Sequence, residues 1–220
     1  MKTSASNIIK VAVTGGAGSG KTSVCNQLKK LGAHVISSDA IAREAVAKNS
    51  PAYKNIVNYF GKKVLLNDGE LNRQMLRRII INNDTDRSAL EKIMHPEITK
   101  KMMLKVTQAK QAGDPIVFLE IPLLFELGME DQFDAVIMIS TELKLRIKRL
   151  MGRDNVTHNE AETLINVQMP DEVKVACAQF VLTNNGSKKQ LIKAVDVLYK
   201  NILKMNKKDL KPLDSRKIMI

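Results

Sequence analysis

A parallel α/β sheet of five strands with helices on both faces is the fold class that this sequence predicts. Three observations carry the prediction. Short apolar runs stop at glycine or at polar turn residues, the pattern of strands buried on both faces. Stretches with helical spacing alternate with those runs, as a crossover topology requires. A glycine-rich segment, "GGAGSGKT" at 15–22, separates the first run from the first helix.

The elements follow in order. "IIKVAVTG" (8–15) is an apolar run ending at glycines, and it predicts the first strand. In "KTSVCNQLKKLG", Val24, Leu28 and Leu31 stand at i, i+4 and i+7, and Gly32 marks the helix stop. "AHVISSD" (33–39) predicts a second strand that Asp39 ends. From 40 to 113 the spacing is mostly helical, interrupted at Pro51, Gly61, "NDGE", "NNDTD" and Pro96. This stretch far exceeds the roughly 10–12 residues that a crossover needs, so it predicts an inserted helical subdomain. "PIVFLEIP" (115–122) and "FDAVIMIS" (133–140) predict the third and fourth strands. A charged helix is expected from Thr141 to about Val167, polar enough to stand away from the core. "AQFVLTNNG" (178–186) predicts the fifth strand. The last helix carries Leu191, Val195, Leu198 and Ile202 on one stripe.

Composition narrows the classes. The chain has 220 residues, 44% of them hydrophobic, which fits one large domain or a core with insertions. No run of about 18 apolar residues is present, so no membrane span is expected. The opening "MKTSASNIIK" lacks an apolar h-region, so no signal peptide is expected. Cys25 and Cys177 form no CxxC pair, which points to reduced thiols in a cytoplasmic protein. The net charge of +12 favours polyanionic partners. Part of it lies in a basic tail, 205–220, read as a solvated end. Aromatic residues make up 4% with no Trp, thin for a surface that stacks single-stranded bases.

"GGAGSGKT" fits G-x-x-x-x-G-K-[ST], the phosphate-cradling P-loop. Backbone N–H groups must point inward at phosphate oxygens, and side chains would block that approach. Gly15, Gly16, Gly18 and Gly20, with Ala17 and Ser19 between them, keep the wall thin. The helix that follows turns its positive N-terminus toward the anion. Lys21 is placed to reach the β- and γ-phosphates, and the Thr22 hydroxyl to ligate Mg²⁺. A nucleoside triphosphate is therefore the expected ligand. Asp39 lies at the carboxyl edge of the predicted sheet, where such sheets bind ligands. There it is either a base for an acceptor hydroxyl or an N-cap for the helix after it.

Taken together, "GGAGSGKT", "VISSDAIAREAV", "DGELNRQMLRRIIINN", "IMHPEI", "IPLLFE", "KRLMGRDNVT" and "VLTNNG" resemble the dephospho-CoA kinases, in that family's order, from residue 8 to about 203. The resemblance implies ATP-dependent phosphorylation of the ribose 3′-hydroxyl of dephospho-CoA, the last step of CoA synthesis. It implies a core (8–39, 114–140, 178–204), a substrate subdomain (40–113) and a lid (141–170) within a domain spanning 1–204. It assigns the general base to Asp39, while the position two residues earlier, often acidic in the family, is Ser37. Arg43, Arg73 and His95 match its substrate side; His95 could also be structural, fixing a helix start before Pro96. Leu123, Leu124 and Phe125, with Glu126 closing the segment, match a substrate wall or plain core. Glu120 matches an acid that orders water on Mg²⁺. Arg149 and Arg153, one helical turn apart, match lid arginines that hold phosphates; the remaining charges of "KLRIKR" read as solvated. Asn184 and Asn185 fall in the adenine-contacting loop or in a bare turn. The implied enzyme is cytoplasmic, a monomer or weak homo-oligomer, with no nucleic-acid or membrane partner. The competing readings are another P-loop metabolite or nucleoside monophosphate kinase, and a nucleic-acid-binding NTPase.

Overall fold

The computed structural model describes residues 8–81, 83–205, 209–210 and 218–219. They form two compact units: one runs up to Ile36 and resumes from Ala109, and the other is Ser37–Gln108.

The first unit is built on a sheet. Its strands are β1 (Ile9–Gly15), β2 (His34–Ser37), β3 (Ile116–Glu120), β4 (Ala135–Ser140), β5 (Phe180–Thr183) and β6 (Ile218–Met219). The order is β2-β3-β1-β4-β5-β6, with β1 parallel to both β3 and β4. Five strands are those predicted from sequence. The sixth comes from the tail and lies parallel to β5, with Val181 beside Met219. Alternation of side chains explains why these runs are apolar throughout. Val11, Val13, Phe118, Ile137 and Ile139 pack with helices α1 (Lys21–Lys30) and α9 (Lys188–Leu203). The intervening Ala12, Val117, Leu119, Val136 and Met138 point the other way and are buried too.

The predicted stripe of α9, Leu191, Val195, Leu198 and Ile202, is buried as expected, behind a capping box of Ser187 and Gln190. Leu210 joins the same core at 2% exposure, so the solvated tail read from sequence is corrected at this residue and at β6. A leucine there removes apolar area from water at little cost in ordering the chain.

The segment 141–167 is two helices, not one: α6 (Leu143–Asp154) and α7 (His158–Asn166). Asn155 breaks them with φ 53, and Thr157 restarts the chain with a capping box to Glu160. Helix α8 (Asp171–Cys177), absent from the sequence reading, follows Pro170. Ile147, Leu150, Ala161 and Ile165 form a small core, with Ala17 packed against it. The expectation that this segment stands away from the body is therefore corrected.

The second unit holds α2 (Ser38–Ala45), α3 (Pro51–Phe60), α4 (Arg73–Ile81) and most of α5 (Asp84–Gln111) around Val46, Tyr53, Ile56, Phe60, Val64, Leu76 and Leu90. Pro51 starts α3, where its missing N–H costs nothing. Pro96, read as a break, lies inside the 28-residue α5. Among the described residues no helix is long and apolar enough to cross a membrane.

Candidate active site

Gly15 ends the central strand and Lys21 begins α1, so the loop 15–20 sits at the carboxyl edge of the sheet, between the ends of β3 and β4. Gly18 (φ 75) and Gly20 (φ 96) supply the left-handed turns that curl the loop. Glycine is also demanded from outside. A Cβ on Gly16 would collide with the Arg146 guanidinium, and one on Gly20 with the Asn184 amide.

Four predicted residues converge here. Lys21 Nζ donates to Gly15 O at 2.5 Å and to Gly16 O at 3.0 Å. Thr22 Oγ1 donates to Glu120 Oε1 at 3.3 Å. Arg149 Nη1 donates to Gly18 O at 3.3 Å and to Ser19 O at 3.4 Å, and its Nη2 donates to Asn184 O at 2.9 Å. Arginine and lysine thus rest on loop carbonyls. Ser19 Oγ is buried without a hydrogen-bond partner inside the loop. The Thr22–Glu120 pair suits Mg²⁺, which keeps several waters and takes few protein oxygens beside substrate phosphates. Among the described residues no group of three or more His, Cys, Asp or Glu that could hold a metal ion is present.

Other predicted residues fall elsewhere. Arg153 is on the same helix, which does run through Gly152, but its side chain is 66% exposed and lies on Asp154 at 2.7 Å. That hydrogen bond raises its pKa. Asn184 spends its amide on Ser19 O at 2.8 Å, whereas Asn185 clasps Glu142 at the start of α6 and lines a cavity of about 390 Å³. Leu124 is sealed in the core, which removes it from a substrate wall; Leu123 beside it is 41% exposed. Glu126 is corrected to a structural partner: it accepts from Met169 N at 3.1 Å and pairs with the fully buried Lys174 at 2.5 Å.

Asp39, Arg43, Arg73 and His95 belong to the Ser37–Gln108 unit, and all four are exposed. Asp39 does not end a strand. Strand β2 stops at Ser37, which is the N-cap of α2, and Asp39 lies in the first turn. The N-cap alternative for Asp39 is thereby removed. Arg43 follows four residues later on the same face of α2. His95 fixes no helix start, because α5 continues through Pro96.

Sequence reasoning missed Arg146, Gln168 and Asp171. Arg146 Nε donates to Ala17 O at 2.9 Å, and Nη1 pairs with Asp171 at 2.9 Å. Ala17 N donates to Gln168 Oε1 at 2.7 Å. Burial raises the Asp171 pKa against the pull of Arg146 and Lys174. Burial likewise pushes the Cys25 thiol up to about 12, so it is inert packing under α1. The one available signal was the spacing of Arg146 to Arg149, i to i+3, which puts both on the face that carries the loop contacts.

The chain matches the family described as dephospho-CoA kinase over residues 9–190. It is 41% identical to the dephospho-CoA kinase of Moorella thermoacetica over 177 residues, covering 80% of this chain and 84% of that one. It is 36% identical to that of Geobacter sulfurreducens over 189 residues, covering 86% and 96%. The solved dephospho-CoA kinase of Campylobacter jejuni superposes with a TM-score of 0.67 at 28% identity, covering 88% of this chain and 96% of its own length.

Proposed function

The chain belongs to the dephospho-CoA kinase family, and from that premise we propose how its residues divide the reaction. The enzyme transfers the γ-phosphoryl group of ATP to the ribose 3′-hydroxyl of dephospho-CoA, the final step of CoA synthesis. The observation that carries the reading is the Thr22–Glu120 contact beside Lys21 at the mouth of the glycine loop.

Loop amides of Gly16 and of Gly18 to Thr22 hold the phosphates, while the Ala17 N–H stays with Gln168. Lys21 exchanges the carbonyls of Gly15 and Gly16 for β- and γ-phosphate oxygens, and Arg149 exchanges those of Gly18, Ser19 and Asn184 for the transferring group. Such exchanges swap neutral acceptors for charged ones, which strengthens each bond. Arg153 leaves Asp154 to add a second cation. Mg²⁺ would be held by Thr22, with Glu120 ordering its water, and would supply neutralisation of developing negative charge. Asp39 accepts the proton of the attacking hydroxyl. Arg43, Arg73 and His95, all in the Ser37–Gln108 unit, bind the acceptor. The cavity lined by Thr141, Glu142 and Asn185 receives the adenine.

We further read Ser37–Gln108 as the acceptor subdomain, 141–170 as the lid and 205–220 as a basic tail, in a cytoplasmic monomer or weak homo-oligomer. Sizing chromatography tests the last point. A coupled assay of ADP release over a panel of acceptors tests the substrate. Dephospho-CoA should turn over, and nucleoside monophosphates should give background. Equal rates with a nucleoside monophosphate would overturn the assignment.

A further inference from the structure

Arg146 is a cation that the phosphate chemistry above does not use. It is 5% exposed on a helix whose neighbouring lysines face water. A charge is not buried without partners, and its partners are specific. Nε reaches the Ala17 carbonyl and Nη1 reaches Asp171, each at 2.9 Å. The guanidinium lies against Gly16, and the Arg146 carbonyl lies 2.7 Å from where a Cβ of Gly18 would stand. The other polar group of Ala17, its N–H, donates to Gln168 Oε1 at 2.7 Å. Both backbone polar groups at the crown of the loop are thus held by the segment that follows β4. Behind them, Lys174 is completely buried and pairs with Glu126, which also accepts the Met169 N–H. The residue after Gln168 is therefore anchored.

We propose that Arg146 and Gln168 are positioning residues that grip Ala17 from both sides and fix the curvature of Gly16–Gly18 before ATP arrives. The inference rests on the ATP-binding reading of the loop. A segment with this many glycines has the largest conformational entropy to lose on ordering. Unless the loop is already ordered, that loss is subtracted from ATP affinity. Neither side chain needs to touch a phosphate to do this: Gln168 Oε1 holds Ala17 N, and Arg146 Nε and Nη1 hold Ala17 O and Asp171. Arginine suits the place: its planar fork meets a carbonyl and a carboxylate at a fixed angle, which a lysine ammonium cannot copy.

The test is calorimetric titration of ATP into the full chain, with thermal melts alongside. The proteins are wild type, Gln168→Ala, Arg146→Ala and the double variant Arg146→Ala with Asp171→Asn. Gln168→Ala removes one grip and no charge, and should weaken ATP binding by about tenfold with an unchanged melt. In that variant KM for ATP rises while kcat at saturating ATP holds. Arg146→Ala should lose ATP affinity and also melt lower, because Asp171 stays buried without its cation. Asp171→Asn in that background should restore the melt and leave ATP binding weak. Recovery of both in the double variant would show a structural role only and overturn the inference. So would wild-type ATP affinity in Gln168→Ala. Failure of the wild-type chain to bind ATP would instead overturn the nucleotide reading on which the inference stands.

Discussion

Thr22 Oγ1 donates to Glu120 Oε1 across 3.3 Å, joining the first turn of α1 to the end of the strand beside β1. The hydroxyl and the carboxylate reach one another because β1 and β3 are in register, Val13 beside Glu120. Glu120→Gln keeps the hydrogen bond and removes the charge. The apparent Mg²⁺ requirement should rise by about ten- to hundredfold, as when a supporting partner of a metal shell is altered. Activity against Mg²⁺ concentration reads this out, and an unchanged requirement would separate Glu120 from the metal.

Lys21→Ala removes the ammonium that sits on Gly15 O and Gly16 O. Lys21 is only part-buried and sits in the first turn of α1, so the fold should remain. Phosphoryl transfer should fall by at least roughly 10²-fold, the scale for loss of one group that meets developing charge. Single-turnover kinetics with saturating ATP measure it.

Asp39→Asn should keep the fold and ATP affinity and lose at least roughly 10² in kcat. Ser37, not Asp39, is the N-cap of α2, so the substitution forfeits only a first-turn charge. That charge contributes about 0.3–1 kcal/mol. A loss under about tenfold would remove Asp39 from the proton transfer.

Truncation after Lys204 removes Leu210 from the core and β6 from its place beside β5. Loss of one fully buried leucine costs about 1.5–3 kcal/mol. For a chain of this length Tm should drop by about 3–12 °C, measured by calorimetry. An unchanged Tm would show that the tail adds nothing to the core.

The glycine loop, the five strands and the α9 stripe were legible because each is a local pattern: spacing within ten residues decides it. The Thr22–Glu120 pair was legible because both residues stand at element ends that the pattern locates. What failed was non-local. Pro96 reads as a break, yet the 28-residue α5 runs through it at the loss of one backbone hydrogen bond. Arg146 reads as solvated because charge ordinarily is; its burial depends on Asp171, twenty-five positions on, and on the glycine gap at Gly16. Glu126 reads as a ligand contact, but it pairs with Lys174 in a helix that no periodicity announced. Leu210 was hidden in a basic stretch whose average polarity masks a single buried side chain.

The central claim is that this chain phosphorylates the ribose 3′-hydroxyl of dephospho-CoA. Phosphorus NMR of a reaction with ATP and dephospho-CoA tests it most directly. The account predicts one new phosphomonoester resonance, coupled to the ribose 3′ proton, growing as the γ-phosphate of ATP declines, and absent with Lys21→Ala. A γ-phosphate signal that declines only into inorganic phosphate, with dephospho-CoA unchanged, would contradict it.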